Sequence, residues 1–193
     1  MKVENLSVRV QGKQVIDDLN FEFEHSGKLL VVGKNGSGKS TLIKTLAGII
    51  KPSKGKIINE ESVAYVPDSS EKYFVGISPK VYFNFLRKTA KNSSSFDKQL
   101  MELIRSFSFP EALLHRKIDS LSLGEQKKVM LIGSFLISPD IYLMDEPLSG
   151  LDHEAVTALF VMINKLIEAG KKFIIISHDD AELFSPVESI LTI

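Results

Sequence analysis

A chain of 193 residues, 44% of them hydrophobic, is long enough to bury one core and a small additional lobe. Its 24 Lys and Arg balance 24 Asp and Glu, so no excess charge draws it onto nucleic acid or an anionic surface, and no nucleic-acid partner is expected. The lack of cysteine excludes a disulfide framework and a thiolate metal site, no apolar run approaches the ~20 residues that cross a bilayer, and Met1-Lys2-Val3-Glu4-Asn5 does not open an apolar signal segment.

Residues 2–10 and 14–24 alternate apolar and polar side chains around Gln11-Gly12-Lys13, the pattern of an antiparallel hairpin. Residues 28–32 are almost wholly apolar, as in a parallel strand covered on both faces. They run directly into Gly33-Lys34-Asn35-Gly36-Ser37-Gly38-Lys39-Ser40 and then Thr41-Leu42-Ile43, which places G-x-x-x-x-G-K-S between a strand and a helix. Gly33, Gly36 and Gly38 let the backbone take positive φ and approach phosphates, so amides of the loop, those of Asn35, Ser37 and Thr41 among them, make an anion nest. Lys39 suits the β- and γ-phosphates and the Ser40 hydroxyl suits Mg²⁺. This segment alone points to nucleotide binding.

The helix predicted from 39 to about 47 stops at Gly48. Pro52-Ser53-Lys54-Gly55 then reads as a turn into a strand at 56–59, followed by a strand at 62–66 that meets Pro67. From 68 to about 119 the character changes: Tyr73, Phe74, Tyr82, Phe83, Phe85 and Leu86, a polar Lys91-Asn92-Ser93-Ser94-Ser95 stretch, and a periodic run from 96 to 107. We read this as an inserted helical lobe whose aromatics form its core rather than a base-stacking platform, because basic interleaving is thin. A helix at 123–136, a strand at 141–144, a helix at 153–169 stopped by Gly170, a strand at 172–176 and a last helix near 180–184 complete the chain. Such alternation implies an α/β fold with a doubly wound parallel sheet and ligands at the carboxyl ends of its strands.

Three further segments carry chemistry. Ile141-Tyr142-Leu143-Met144-Asp145-Glu146 ends a buried strand in two carboxylates: Asp145 is placed to hold Mg²⁺ with Ser40, and Glu146 to take a proton from an attacking water. Ile176-Ser177-His178-Asp179 sets His178 at another strand end on the same edge, where an imidazole can hold a γ-phosphate or the attacking water. Leu121-Ser122-Leu123-Gly124-Glu125-Gln126 opens a helix; taken alone, Ser122 is an ordinary cap.

In order with Leu148-Ser149-Gly150-Leu151-Asp152, these motifs closely resemble those of the ATPase subunits of ATP-binding cassette (ABC) proteins, over essentially the whole chain. The match at 121–126 departs from the family loop by Leu123 in place of glycine, while Ser122 and Gly124 are kept. The resemblance implies a P-loop NTPase parallel sheet core, an antiparallel β sheet at the start of the chain and an inserted α-helical lobe, in a single domain with core 1–67 and 120–193 and lobe about 68–119. It implies ATP and Mg²⁺ as cofactors, with Lys39, Glu146 and His178 catalytic. Ser122 and Gly124 would bind the γ-phosphate of ATP held by a second ATPase subunit, in a head-to-tail homo- or heterodimer, and Asp152 would link the two sites. Membrane-spanning transporter subunits would be the other partner, holding the protein at the cytoplasmic face of the cell membrane.

Two further positions depart from the pattern. Asp68 stands where most members have a glutamine that touches Mg²⁺ and the attacking water; an acidic residue here resembles the subgroup that pairs with ABC-2-type membrane subunits, often exporters, and assigns Asp68 to metal and catalysis. As a residue type, Asp68 is equally a turn residue after Pro67. Val10 stands where an aromatic normally stacks on adenine, which predicts modest nucleotide affinity and weak preference for ATP over GTP. The alternative function is a soluble ABC ATPase acting as a clamp or assembly factor. The chromosome-maintenance type needs a long coiled coil where this chain has roughly 80 residues without heptads.

Overall fold

The computed structural model describes residues 1–69, 74–89, 95–177 and 181–193. They fall into two units: Met1–Tyr65, Pro139–Pro147 and Lys165–Ile193 form the first, Val66–Ser138 and Leu148–Asn164 the second.

The first unit begins with β1 (Lys2–Val10) and β2 (Lys13–Glu22), joined where Gln11 and Gly12 both take positive φ, 50° and 79°. That two-residue turn matches the twist of the strands it joins, and Val10 pairs with Lys13. β3 (Gly27–Val32) follows, then α1 (Lys39–Leu46) and β4 (Lys54–Ile58). β4 pairs with β1, giving the antiparallel order β2-β1-β4. Here the expected turn at 52–55 is shorter than the sequence suggests. Gly55 lies inside the strand at φ 78°, and a Cβ there would collide with the Asn5 carbonyl, so this glycine serves a bulge between strands.

The second sheet combines β5 (Val63–Val66), β6 (Ile141–Asp145), β7 (Lys172–Ile176) and β8 (Ser189–Thr192) with β3, in the order β5-β6-β7-β3-β8. β6, β7, β3 and β8 pair parallel, which confirms the parallel sheet core. β6 and β7 are buried at every position, so their apolar runs are what a sheet covered on both faces requires. In register, Asp145 and Val31 both pair with Ile176, which brings the carboxyl ends of three adjacent strands to one level. Leu42 and Ile43 of α1 pack with Val31, Leu143, Ile174 and Ile176 in one core. At the opposite ends of the strands, the Ser62 hydroxyl and the Lys171 ammonium hold the Asp140 carboxyl well below the usual carboxylate range.

The second unit contains α2 (Pro79–Thr89), α3 (Phe96–Ser106), α4 (Leu123–Ile137) and the first three turns of α5 (His153–Glu168). α4 is buried almost all round from Gln126 to Leu136, the signature of a central helix. Gly133 leaves room for Tyr82: a Cβ there would lie 2.5 Å from the phenol oxygen. Burial pushes that phenol up to about 12, and Phe74 meets Tyr82 edge-on at 4.8 Å. Phe83 and Leu86 are core, as expected, whereas Phe85 is 62% exposed because it lies on the outer face of α2. Tyr73 and residues 91–94 lie outside the described residues. The last helix is a single 3-10 turn, Ala181–Phe184. Among the described residues no helix is long and apolar enough to cross a membrane.

Candidate functional site

In the first unit, β3 delivers the chain into the glycine-rich loop and α1 carries it away. Gly38 is the N-cap of α1 at φ 111°, in a pocket so tight that a Cβ would lie 2.8 Å from Val15 Cγ1. The first intrahelical bond runs from the Leu42 amide to the Gly38 carbonyl at 2.8 Å, so the amides of Lys39, Ser40 and Thr41 precede the helical ladder. Gly36, at φ 79°, has open space where a side chain would sit. Lys39 is buried and curls into the loop, donating to the carbonyls of Gly33 at 2.8 Å and Lys34 at 2.9 Å. Ser37 tightens the loop through its amide, 3.1 Å from the Lys34 carbonyl, and its buried hydroxyl has no hydrogen-bond partner among the described residues. A helix N-terminus, a buried ammonium and an unpaired hydroxyl converging on one loop fit a phosphate chain.

Beside the loop, the Ser40 hydroxyl donates to Asp145 Oδ1 at 3.2 Å. Asp145 is 3% exposed at the end of β6, and the pair forms an all-oxygen donor set suited to a hard cation such as Mg²⁺. Glu146 follows in left-handed conformation, φ 47°, with its amide bonded to the Ile176 carbonyl at 3.1 Å. That kink turns the chain off the sheet just where the second carboxylate is carried. Asp145, Glu146, Lys39 and Ser40 therefore come together as the motif spacing requires, with Ser177 following the same level of β7. His178 lies outside the described residues.

The second unit carries the remaining candidates. Ser122 is the N-cap of α4: its hydroxyl accepts from the Glu125 amide at 3.3 Å while Glu125 accepts from the Ser122 amide at 2.8 Å, a reciprocal capping box. Gly124 needs its missing side chain, since a Cβ would strike the Gly150 carbonyl. The loop at 148–152 is thus held against the first turn of α4. Asp152 accepts from the Ala155 amide at 2.9 Å, capping α5, and from the Lys128 ammonium at 2.6 Å. These two bonds, Lys128 first, hold its carboxyl below the usual carboxylate value. Asp68 follows Pro67 with its carboxylate half exposed, 3.7 Å from the ammonium of Lys127.

Lys127 and Lys128 are contributors that residue type conceals. Lysines near the start of a helix read as solvated charge, yet these are 2% and 5% exposed. Only their distant partners reveal them. Leu123, by contrast, is 65% exposed at the position where the motif departs from pattern.

Comparisons with known proteins agree with this arrangement. Residues 16–149 match the ABC transporter family. The zinc import ATP-binding protein ZnuC of Wigglesworthia glossinidia brevipalpis is 33% identical over 93% of this chain and 76% of its own length. A Clostridium tetani protein named as an ABC transporter ATP-binding protein is 29% identical over 93% of this chain, which spans only 44% of that relative. A solved structure of an ATP-binding subunit of an ABC transporter superposes with a TM-score of 0.90 at 26% identity, covering 100% of this chain and 85% of that one.

Proposed function

The chain belongs to the ABC transporter family, whose ATP-binding subunits are ATPases coupled to transport, and from that premise we propose that it binds and hydrolyses Mg-ATP to drive membrane-spanning subunits carried on other chains. The observation that carries this reading is the buried Lys39 within the glycine loop beside the Ser40–Asp145 pair. Lys39 exchanges the Gly33 and Lys34 carbonyls for phosphate oxygens, and the amides of residues 33–41 line the rest of the anion. Ser40 and Asp145 would hold Mg²⁺. When bound, that ion neutralises charge on the β- and γ-phosphates. Glu146 accepts the proton of the attacking water, with His178 to hold the γ-phosphate, and Asp68 would help to hold the ion and orient that water.

In this proposal the 193 residues act as one ATPase domain, the lobe at about 68–119 receiving a helix of the membrane partner at the cytoplasmic face. A second ATPase subunit, identical or not, supplies its own Ser122 and Gly124 to the nucleotide, and Asp152 relates the two sites. Asp68 favours outward transport, but the names of relatives that are zinc import proteins support inward movement of a metal ion more strongly. A general base contributes about 10²–10⁴-fold, so Glu146→Gln lowers ATP turnover by at least about a hundredfold while ATP still binds. Unchanged turnover in that variant overturns the reading.

A further inference from the structure

The first two turns of α4 carry three consecutive polar side chains, Gln126, Lys127 and Lys128, none more than 6% exposed. Each is tied to a different piece of the second unit. Gln126 Nε2 donates to the Leu121 carbonyl at 2.8 Å, Lys127 Nζ to the Pro67 carbonyl at 3.0 Å and Lys128 Nζ to Asp152 Oδ2 at 2.6 Å. Lys127 also attracts the Asp68 carboxylate across 3.7 Å.

A charge so deeply buried is an expensive way to hold two segments together. Desolvation of the ammonium offsets much of its attraction to partners, a cost that an apolar side chain of the same length avoids. What an apolar side chain cannot do is orient a carbonyl and a carboxylate at once. The Lys127 ammonium grips the carbonyl immediately before Asp68, fixing the backbone, and draws on the carboxylate itself, fixing the direction of the side chain. The Asp68 side chain remains 53% exposed, so its outer oxygens stay open to another ligand.

We propose that Lys127 is a positioning residue for Asp68, and that through it the N-terminal part of α4, capped by Ser122, sets where the Asp68 carboxylate points. This deepens the ATPase reading and rests on it, because that reading gives Asp68 its task at the ion and water. α4 then moves the strand-end loop at 67–68 and the cap at Ser122 as one piece.

The test uses the full chain with Lys127→Met, Asp68→Asn and the double variant, measuring ATP turnover, thermal stability and amide hydrogen exchange at residues 66–69. Lys127→Met is expected to stay folded at the assay temperature, to lose about tenfold in kcat with KM for ATP nearly unchanged, and to exchange faster at 66–69 without nucleotide. Asp68→Asn is expected to lose a similar factor, and the double variant no more than the worse single. Unchanged kcat and exchange in Lys127→Met, losses that multiply in the double variant, or a kcat loss that follows a lowered melting temperature each overturn the proposal. Should Lys127→Met fail to fold, Lys127→Gln keeps a donor without the charge; a kcat loss there supports the proposal and unchanged kcat overturns it. If the wild-type chain hydrolyses no ATP, the ATPase reading fails by itself, and exchange at 66–69 still decides whether Lys127 positions this loop.

Discussion

Glu146 sits at φ 47°, a conformation that costs a residue with a Cβ on the order of 1 kcal/mol and that glycine adopts freely. Both Glu146→Ala and Glu146→Gly remove the carboxylate, so the difference between them isolates the backbone. The glycine variant should be the more stable by about 1 kcal/mol in urea denaturation, with both lacking turnover; equal stabilities would show that the kink stores no strain. Val10 is a second residue whose effect can be isolated. It is 37% exposed at the end of β1, and a missing stacking partner is worth about 1–3 kcal/mol per base. Val10→Trp should therefore tighten ATP binding by roughly 5–150-fold and increase preference over GTP in calorimetric titrations. Strong adenine-selective binding by the wild type would refute the premise. The glycine loop and its pairing of Ser40 with Asp145 were legible because glycine, lysine and serine at fixed spacing have few other uses. Lys127 was not, because a lysine's burial depends on Pro67, sixty residues away in sequence, which no local pattern encodes.

The elements were legible where local chemistry starts and stops them. Ser122 with Glu125 marks the start of α4, and Gly12, at φ 79°, marks the β1–β2 turn, whereas Gly55 was misread because a bulge glycine and a turn glycine look alike until the facing strand is known. Asp152 shows how one side chain serves two elements, capping α5 while satisfying Lys128 on α4. Its carboxyl is held below the ordinary value in the folded protein, so it binds protons less readily there than in the unfolded chain. The stability it adds is present at neutral pH and lost as the pH falls below about 4. Because the side chain is 57% exposed, the charge contributes less than about 1 kcal/mol, with a similar amount from the cap. Asp152→Ala should lower stability by about 1 kcal/mol or more at pH 7 and by distinctly less at about pH 3, measured by urea titration. An equal loss at both values would rule out a charge contribution.

Across the whole molecule, the order β5-β6-β7-β3-β8 places the strands that carry the glycine loop, Asp145 and Ser177 side by side, so three segments distant in sequence share one edge. Alternating helices and strands made that sheet readable in advance; pairing of β4 with β1 was not, since antiparallel partners leave no periodic mark of their neighbour. If nucleotide joins two copies, Glu146→Gln with Mg-ATP should elute as a dimer in size-exclusion chromatography and as a monomer without nucleotide. A monomer under both conditions would remove the composite site. The buried Lys39 bears on how such a cycle restarts. With its ammonium bonded to the Gly33 and Lys34 carbonyls, the loop holds its own cation in place: if nucleotide binds there as proposed, its entry exchanges one set of oxygens for another, and the loop keeps a shape of its own rather than presenting a bare cation to any passing anion.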